Sequence, residues 1–214
     1  MPVPNPTPIY RIIHVDNLPV VLCRGGIHAP KLTPNDGLTY RTIHNAEIQS
    51  VRQQRRLNCG PCGIVHDYVP FYFGPHSPML LQLHTGRVKG YHESQEPIIY
   101  LVSTVQAVQQ SGPGFVFSDG HGIAAYTDWY DDLSHLDKVD WNMVYQQYWA
   151  DTIDDMDRQR RKQAEFLIHR FCDWSLILEV GVINDKFRTK VESVFSQFPD
   201  GLRRPVNIRK EWYY

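Results

Sequence analysis

The apolar positions of the chain fall into short runs, and each run predicts one element. Ile9-Tyr10-Arg11-Ile12-Ile13, rich in β-branched residues, reads as a strand. Asp16 is placed to cap a short helix through Pro19, Val20, Val21 and Leu22, which Gly25-Gly26 would stop. A polar stretch leads to a predicted helix over Asn45 to Arg55, then strands at Ile64–Phe73 and Ile98–Val102 and a short helix over Val105–Gln110. Phe115-Val116-Phe117 predicts another strand, and helices are expected at Trp129–Leu136 and Trp141–Trp149. Ala164–His169 and Glu179–Ile183 read as buried strands. After Asn184, Phe187, Val191, Val194, Phe195 and Phe198 recur at helical spacing, a stripe that core packing explains. Strands interleave irregularly with short helices, and no βαβ unit carries a glycine fingerprint. The pattern predicts an α+β fold rather than a doubly wound sheet. No repeat or boundary divides the sequence, so residues 1–214 are expected to form a single domain.

Composition narrows the class. With 42% hydrophobic and 21% charged residues, the chain reads as an ordinary soluble globular protein. No apolar stretch reaches the length of a membrane span. The opening Met-Pro-Val-Pro-Asn-Pro-Thr-Pro lacks the basic and apolar regions of a secretory signal, so a cytoplasmic location is expected. Twenty-two basic residues nearly cancel twenty-three acidic ones, which argues against a protein coated in nucleic acid. Their distribution says more. Asp128 to Asp157 is crowded with aspartates and holds one lysine, Lys138, whereas Arg158-Gln159-Arg160-Arg161-Lys162 follows at once. A DNA strand would avoid the first stretch and could be held by the second, though taken alone such a run reads as a solvated face.

Four cysteines, Cys23, Cys59, Cys62 and Cys172, require a separate test, because Cys59-Gly60-Pro61-Cys62 matches the thioredoxin-type motif. There the first thiol sits at a helix N-terminus that lowers its pKa. Here the motif follows a polar run and precedes a predicted strand, and a zinc site would need two more ligands of suitable spacing. A loop with incidental cysteines is the simpler account.

One residue stands out on physical grounds. Glu165 lies in the most apolar strand of the C-terminal half, on the face shared with Leu167 and His169, while Phe166 and Ile168 point the other way. A buried carboxylate must be paired, protonated or functional. It is either a catalytic group or the partner of Arg160, Arg161 or a distant arginine such as Arg52. Arg52 itself would ordinarily be solvated on its helix. The aromatics of Tyr68–Phe73 read as core, but the following proline-rich tail to Met79 could shape a rigid loop that offers apolar faces to a base, and Tyr148-Trp149 invites the same two readings.

Three blocks carry a resemblance that covers the chain from residue 8 to its last residue. Pro8 to Leu18 contains Tyr10-Arg11-Ile12-Ile13-His14-Val15-Asp16-Asn17-Leu18. The second is His66-Asp67-Tyr68-Val69-Pro70-Phe71-Tyr72-Phe73 with Ser77-Pro78-Met79-Leu80. The third is Gln163-Ala164-Glu165-Phe166-Leu167 together with the ending Trp212-Tyr213-Tyr214. Together they resemble the DarT family of DNA ADP-ribosyltransferases. The resemblance implies the ADP-ribosyltransferase fold, a compact α+β domain whose split, twisted sheet grips NAD as co-substrate, with no metal. It also implies a toxin that blocks DNA replication and is neutralised by a macrodomain antitoxin of the DarG type, which removes the modification.

By the same resemblance Glu165 is the catalytic glutamate and Arg52 the arginine that binds NAD and helps activate the base. Arg11, Ile12 and Ile13 fall where the family clamps the nicotinamide end, with His14 and Asn17 also on the cofactor side. Single-stranded DNA would meet His76, Ser77, Pro78, Met79, Leu80 and Leu81, then Gln159, Arg160, Arg161, Lys162 and Gln163, with Tyr148, Trp149, Ala150 and Asp151 beside them. Family members usually carry His and Thr where this chain has Arg11 and Ile13. A clamp built from backbone N–H and C=O groups tolerates that change, whereas one built from the imidazole does not.

The expected reaction breaks the nicotinamide–ribose bond to leave an oxocarbenium-like sugar, which Glu165 stabilises through a ribose hydroxyl. A thymine ring nitrogen then attacks, its proton loss assisted by Glu165 or Arg52. Single-stranded DNA spares most of the unstacking cost. The alternatives are transfer to guanine, to RNA or to protein on the same fold, and a nucleic-acid binder without catalysis.

Overall fold

A computed structural model describes residues 1–214. Its strands are β1 (Pro8–His14), β2 (Gly26–His28), β3 (Arg56–Leu57), β4 (Gly63–Ile64), β5 (Tyr68–Tyr72), β6 (Ile98–Thr104), β7 (Phe115–Ser118), β8 (Trp129–Tyr130), β9 (Glu165–His169), β10 (Phe171–Asp173), β11 (Glu179–Val182) and β12 (Val206–Ile208). The helices are α1 (Leu18–Cys23), α2 (Ala46–Arg52), α3 (Pro78–His84), α4 (Val105–Ser111), α5 (Trp141–Val144), α6 (Arg158–Lys162) and α7 (Asp185–Phe195). Eight strands make one sheet in the order β12-β11-β6-β1-β5-β9-β7-β8, while β2 pairs with β10 and β3 with β4. The α+β expectation holds.

The sheet is split at its centre. β1 runs in register with β6 from Pro8↔Thr104 to His14↔Ile98, but meets β5 at a single pair, Tyr10↔Tyr72. Where that ladder is missing, the Arg11 guanidinium donates to the Pro70 carbonyl at 2.9 Å, joining the two halves through a side chain. Tyr72 in turn faces Glu165 across the β5–β9 ladder, so one register row carries Tyr10, Tyr72 and Glu165 through the split.

Packing follows the alternation of the strands. Phe166 and Ile168 join the main core, which also takes Ile9, Phe71, Leu101 and Val180 and spans the sheet. Leu167, on the Glu165 face, packs in a small separate cluster with Leu57 and Tyr68, and Tyr10 and Ile12 belong to a third cluster built around α3 and the chain end. Burying each large apolar side chain contributes roughly 1.5–3 kcal/mol, so the continuous core carries the fold. α7 closes it as the stripe predicts: Asn184 caps the helix by accepting from Phe187 N at 3.2 Å, with Phe187, Val191 and Phe195 buried and Val194 and Phe198 packed against them.

Four expectations change. The helix predicted over Asn45–Arg55 is α2, with Asn45 accepting from Glu47 N as its cap and the chain leaving the helix after Arg52. The strand predicted over Ile64–Phe73 breaks at Val65–Asp67, where Asp67 accepts from Ile64 N and folds a tight turn. Asp16 does not cap α1. Asn17 holds that position without a capping bond, its side chain being bonded to the Arg41 backbone, and Asp16 pairs instead with Arg41 and Lys190. Trp129–Leu136 and Trp141–Trp149 give no long helices but β8, a 3-10 turn and the single turn α5. Asp132 and Asp140 each accept from a backbone N–H two or three residues on and so restart the chain in a new turn.

Candidate active site

A cleft of about 320 Å³ opens at the split. Its floor holds Arg52 from the end of α2 and Glu165 from the start of β9, 113 positions apart in sequence, joined by a bidentate ion pair. Arg52 Nη1 donates to Oε1 at 2.8 Å and Nη2 to Oε2 at 2.7 Å. Both side chains are buried, 9% and 4% exposed, so the pair is withdrawn from bulk water. Of the arginines considered as partners for Glu165, Arg52 is the one paired with it.

A loop between β7 and β8 completes the setting. Gly122 N donates to Glu165 Oε1 at 3.1 Å, and any Cβ at Gly122 would stand 2.9 Å from that oxygen and displace the carboxylate. Ser118 Oγ accepts from Glu165 N at 3.1 Å and donates to Gly120 O at 2.7 Å. Burial alone would push the Glu165 carboxyl up. The Arg52 charge and hydrogen bonds, then His121 and the Gly122 N–H, outweigh burial and hold it below the ordinary carboxylate value. Oε1 takes two bonds and Oε2 one, which leaves Oε2 free to accept another donor. His121 lines the same cleft, and burial holds its imidazole below its ordinary value, so the ring is neutral at pH 7.

The expected cofactor residues divide. Arg11, Ile12 and Ile13 line the cleft. Arg11 has no carboxylate partner, its Nε is buried and unbonded, and burial lowers its pKa. Tyr40, on the far wall, likewise has a buried hydroxyl without a partner. Arg11 and Tyr40 thus each line the cleft and each hold one buried polar atom without a hydrogen-bond partner. Asn17 lines the cleft, but its amide is committed to Arg41, accepting from Arg41 N at 2.6 Å and donating to Arg41 O at 2.9 Å. His14 is a correction. It lies outside the cleft, 1% exposed, with Nδ1 accepting from Asp16 N and Nε2 against Glu93, and burial drives its pKa down to about 4. No group of three or more His, Cys, Asp or Glu side chains is arranged to hold a metal.

The comparisons decide the family. The family described as ssDNA thymidine ADP-ribosyltransferase, DarT, matches residues 10–214. The chain belongs to the DarT family. A DNA ADP-ribosyl transferase from Thermus sp. (strain 2.9) is 41% identical over 211 residues, 99% of this chain and 98% of that protein. The Thermus sp. 2.9 DarT in complex with ADP-ribosylated ssDNA superposes with a TM-score of 0.93 at 39% identity, covering 100% of this chain and 99% of that one. The same DarT in complex with NAD+ gives 0.88 at 38% identity, with full coverage of both chains.

The DNA-side residues expected from DarT resemblance are placed unequally. Pro78, Met79 and Gln163 reach the cleft, Tyr148 is 82% exposed, and Leu81, Ala150 and Gln159 reach the surface. Leu80 is a correction: it is fully buried in the cluster behind α3, because Ser77 caps that helix and turns Leu80 inward. His76 is buried too, its ring edge-on to Tyr214. Trp149 Nε1 donates to Tyr214 Oη, and Asp151 accepts from Gln159 N. The basic run changes character most. Arg160 is bonded to Asp157 and Asp119, and Arg161 to Asp140 and Asp155. Lys162 is 3% exposed, donates to the Val144 and Gln146 carbonyls, and is pushed by burial down to about 7. Arg160 and Arg161 are thus paired with aspartates, whereas Arg158 has no carboxylate partner and donates to the Tyr148 carbonyl at 2.9 Å.

Cys59 and Cys62 lie at the tip of the β3–β4 hairpin, where Cys62 N donates to Cys59 O, rather than at a helix N-terminus. Burial and Asp131 raise the Cys59 thiol pKa, the reverse of a redox-active first cysteine. Reading the sequence missed His121, Gly122 and Tyr72. The one signal was the dense Ser118-Asp119-Gly120-His121-Gly122 segment directly after a strand, a loop whose backbone must approach something closely.

Proposed function

We propose that this DarT-family chain is an NAD-dependent transferase that places ADP-ribose on a thymine base of single-stranded DNA. The observation that carries the reading is the ionised Glu165, held by Arg52 and Gly122, with Oε2 bonded once and able to accept a second donor, in a cleft of about 320 Å³. NAD supplies the electrophilic sugar carbon once its nicotinamide bond gives way. Glu165 accepts from a ribose hydroxyl through Oε2 and stabilises the positive charge that develops on the sugar. Arg11 and Tyr40 supply the unpartnered polar atoms that fit a polar, anionic ligand. An arginine where the family usually has histidine thus adds charge to the clamp.

The thymine nitrogen loses its proton as it attacks. Arg52 is permanently protonated and cannot take that proton. It stabilises the base anion, while His121, neutral and facing the same cleft, or Glu165 accepts the proton. Met79 and Pro78 border the cleft where an unstacked base would lie. Family membership supports a further reading, that the reaction poisons replication in the cytoplasm and is reversed by a macrodomain antitoxin of the DarG type.

The test is mass spectrometry of a mixed-sequence oligonucleotide after incubation with NAD, with fragmentation to locate the adduct. One ADP-ribose on thymine, suppressed by annealing the complement, is the expected result. An adduct on guanine, or on RNA or protein alone, overturns the base assignment. For the toxin reading, growth arrest on expression should be relieved by co-expressing such an antitoxin.

A further inference from the structure

The loop that bonds Glu165 is itself held by Arg160, a residue the basic run suggested for phosphate. Arg160 grips the loop at three points. Its Nη1 donates to Asp119 Oδ1 at 2.9 Å, and its carbonyl accepts from His121 N at 2.9 Å. Its side chain lies flat on the Cα of Gly120, so close that any Cβ there would collide with Nη1, Cγ and Cζ. The other edge of the guanidinium is fixed by Asp157, Nε to Oδ1 and Nη2 to Oδ2, both at 2.8 Å. Tyr126 covers its outer face, with the ring centre 5.1 Å from Cζ. The side chain is 12% exposed, so its donors meet aspartates rather than solvent.

We propose that Arg160 is a positioning residue for the transfer reaction. It locks residues 119–122 so that the Gly122 N–H stays on the Glu165 carboxylate and His121 stays near it. The assignment rests on Glu165 being the catalytic group. A planar, forked cation is needed because two carboxylates on separate segments, Asp119 and Asp157, must be bonded at once while the plane packs against glycine. Lysine offers a point charge and cannot span both. The groups facing Glu165 are Arg52 from α2, His121 and Gly122 from the loop, and Tyr72 from β5. Arg160 reaches it through the loop alone.

Arg160→Lys and Asp119→Asn test this, with NAD kinetics, oligonucleotide binding against salt, and a pH–rate profile. Both should cut kcat roughly tenfold to a hundredfold, the range set by small misplacement of a reacting group, with little change in the NAD KM. Oligonucleotide affinity and its salt slope should not move. The acid limb of the profile should shift to higher pH in both, since Glu165 loses a hydrogen bond to its charged form. Arg160→Lys keeps the charge, so that shift cannot be a Coulomb effect. Asp119→Asn removes a negative charge, which by itself would move the limb the opposite way.

A kcat within twofold of wild type in both variants overturns the proposal. So does a salt slope reduced by about one in Arg160→Lys, the mark of a lost phosphate contact. If one variant fails to fold, the other decides. If the wild-type chain modifies no nucleic acid at all, it is the underlying reading that has failed, and the control reports that separately.

Discussion

Arg11 and Arg52 in the cleft and Arg160, Arg161 and Lys162 on α6 are all cations withdrawn from solvent, yet they differ in what they leave free. Arg161 pairs with Asp140, Asp155 and Asp157, Arg160 with Asp119 and the same Asp157, and Lys162 with two backbone carbonyls. Arg11 has one carbonyl and an unbonded Nε, and Arg52 shares its carboxylate with a cavity. The more basic segment of the sequence is the less available one. What sets the cleft apart here is a cation without a carboxylate partner beside a cavity, not the density of charge along the chain. The acidic stretch and the basic run are adjacent in sequence because they pair in the fold.

The largest effect expected on this contrast comes from Glu165→Gln. Transfer should fall by about 10²–10³, the loss typical of one stabilising group in a preorganised site. The same change strips Arg52 of its counter-ion, and breaking one partner of a buried pair costs about 3–5 kcal/mol. Activity and melting temperature should therefore fall together, which a catalytic group without a buried partner would not do. Replacing both, as Arg52→Met with Glu165→Leu, should recover most of the stability and none of the activity. Because the carboxyl is held below its ordinary 4.5, the pair's contribution is full above that pH. It is lost as pH falls through the lower folded-state value, so acid should erase the stability difference between wild type and Glu165→Gln, whose side chain matches the protonated acid. Wild-type transfer by Glu165→Gln would remove the mechanism.

A smaller effect separates the two regions directly. Arg11→Gln should raise the NAD dissociation constant roughly tenfold, about 1.4 kcal/mol, because the cleft loses a cation that has no carboxylate partner. Arg161→Gln should leave NAD affinity unchanged and lower the melting temperature. Titrations with NAD and with nicotinamide riboside sharpen the first result. Equal losses for both ligands would put Arg11 at the nicotinamide end, whereas a loss confined to NAD would put it on the phosphates.

The parts of this picture that were legible in the sequence are those that local pattern determines. Ala164 to His169 could be read as a strand because β-branched and aromatic residues run through it, and Glu165 was conspicuous because alternation leaves it on a named face. The α7 stripe was legible for the same reason. The partnership of Arg52 and Glu165 stood among several candidates, since ion pairing between distant positions is a tertiary fact. For Arg160 the nearby partner Asp157 was within reach of pattern, but Asp119, which ties it to the loop, lies 41 positions away. Trp129 to Trp149 was misread because aspartates acting as turn acceptors override the helical propensity around them. Leu80 looked like part of a surface block, and the Ser77 cap that turns it inward is visible only in the folded helix.

The smallest expected effect concerns Lys162, where the contrast is most exposed to failure. Its ammonium is buried against the Val144 and Gln146 carbonyls, at 2.7 and 2.5 Å, and burial pulls its pKa from 10.5 to about 7. Between those values the unfolded chain binds the proton and the folded chain releases it, so this group makes stability rise with pH. Lys162→Met lacks that rise and also leaves two buried carbonyls without a donor. The variant should therefore be less stable than wild type at pH 7, and the gap should widen by pH 9. Denaturant unfolding at the two pH values measures it, and subtracting the variant cancels every other group that titrates in the interval. A gap that stays constant would mean that Lys162 keeps its ordinary value and remains charged in reach of water. The basic run would then have a cation free for phosphate, and the division between cleft and scaffold would not hold at its third member.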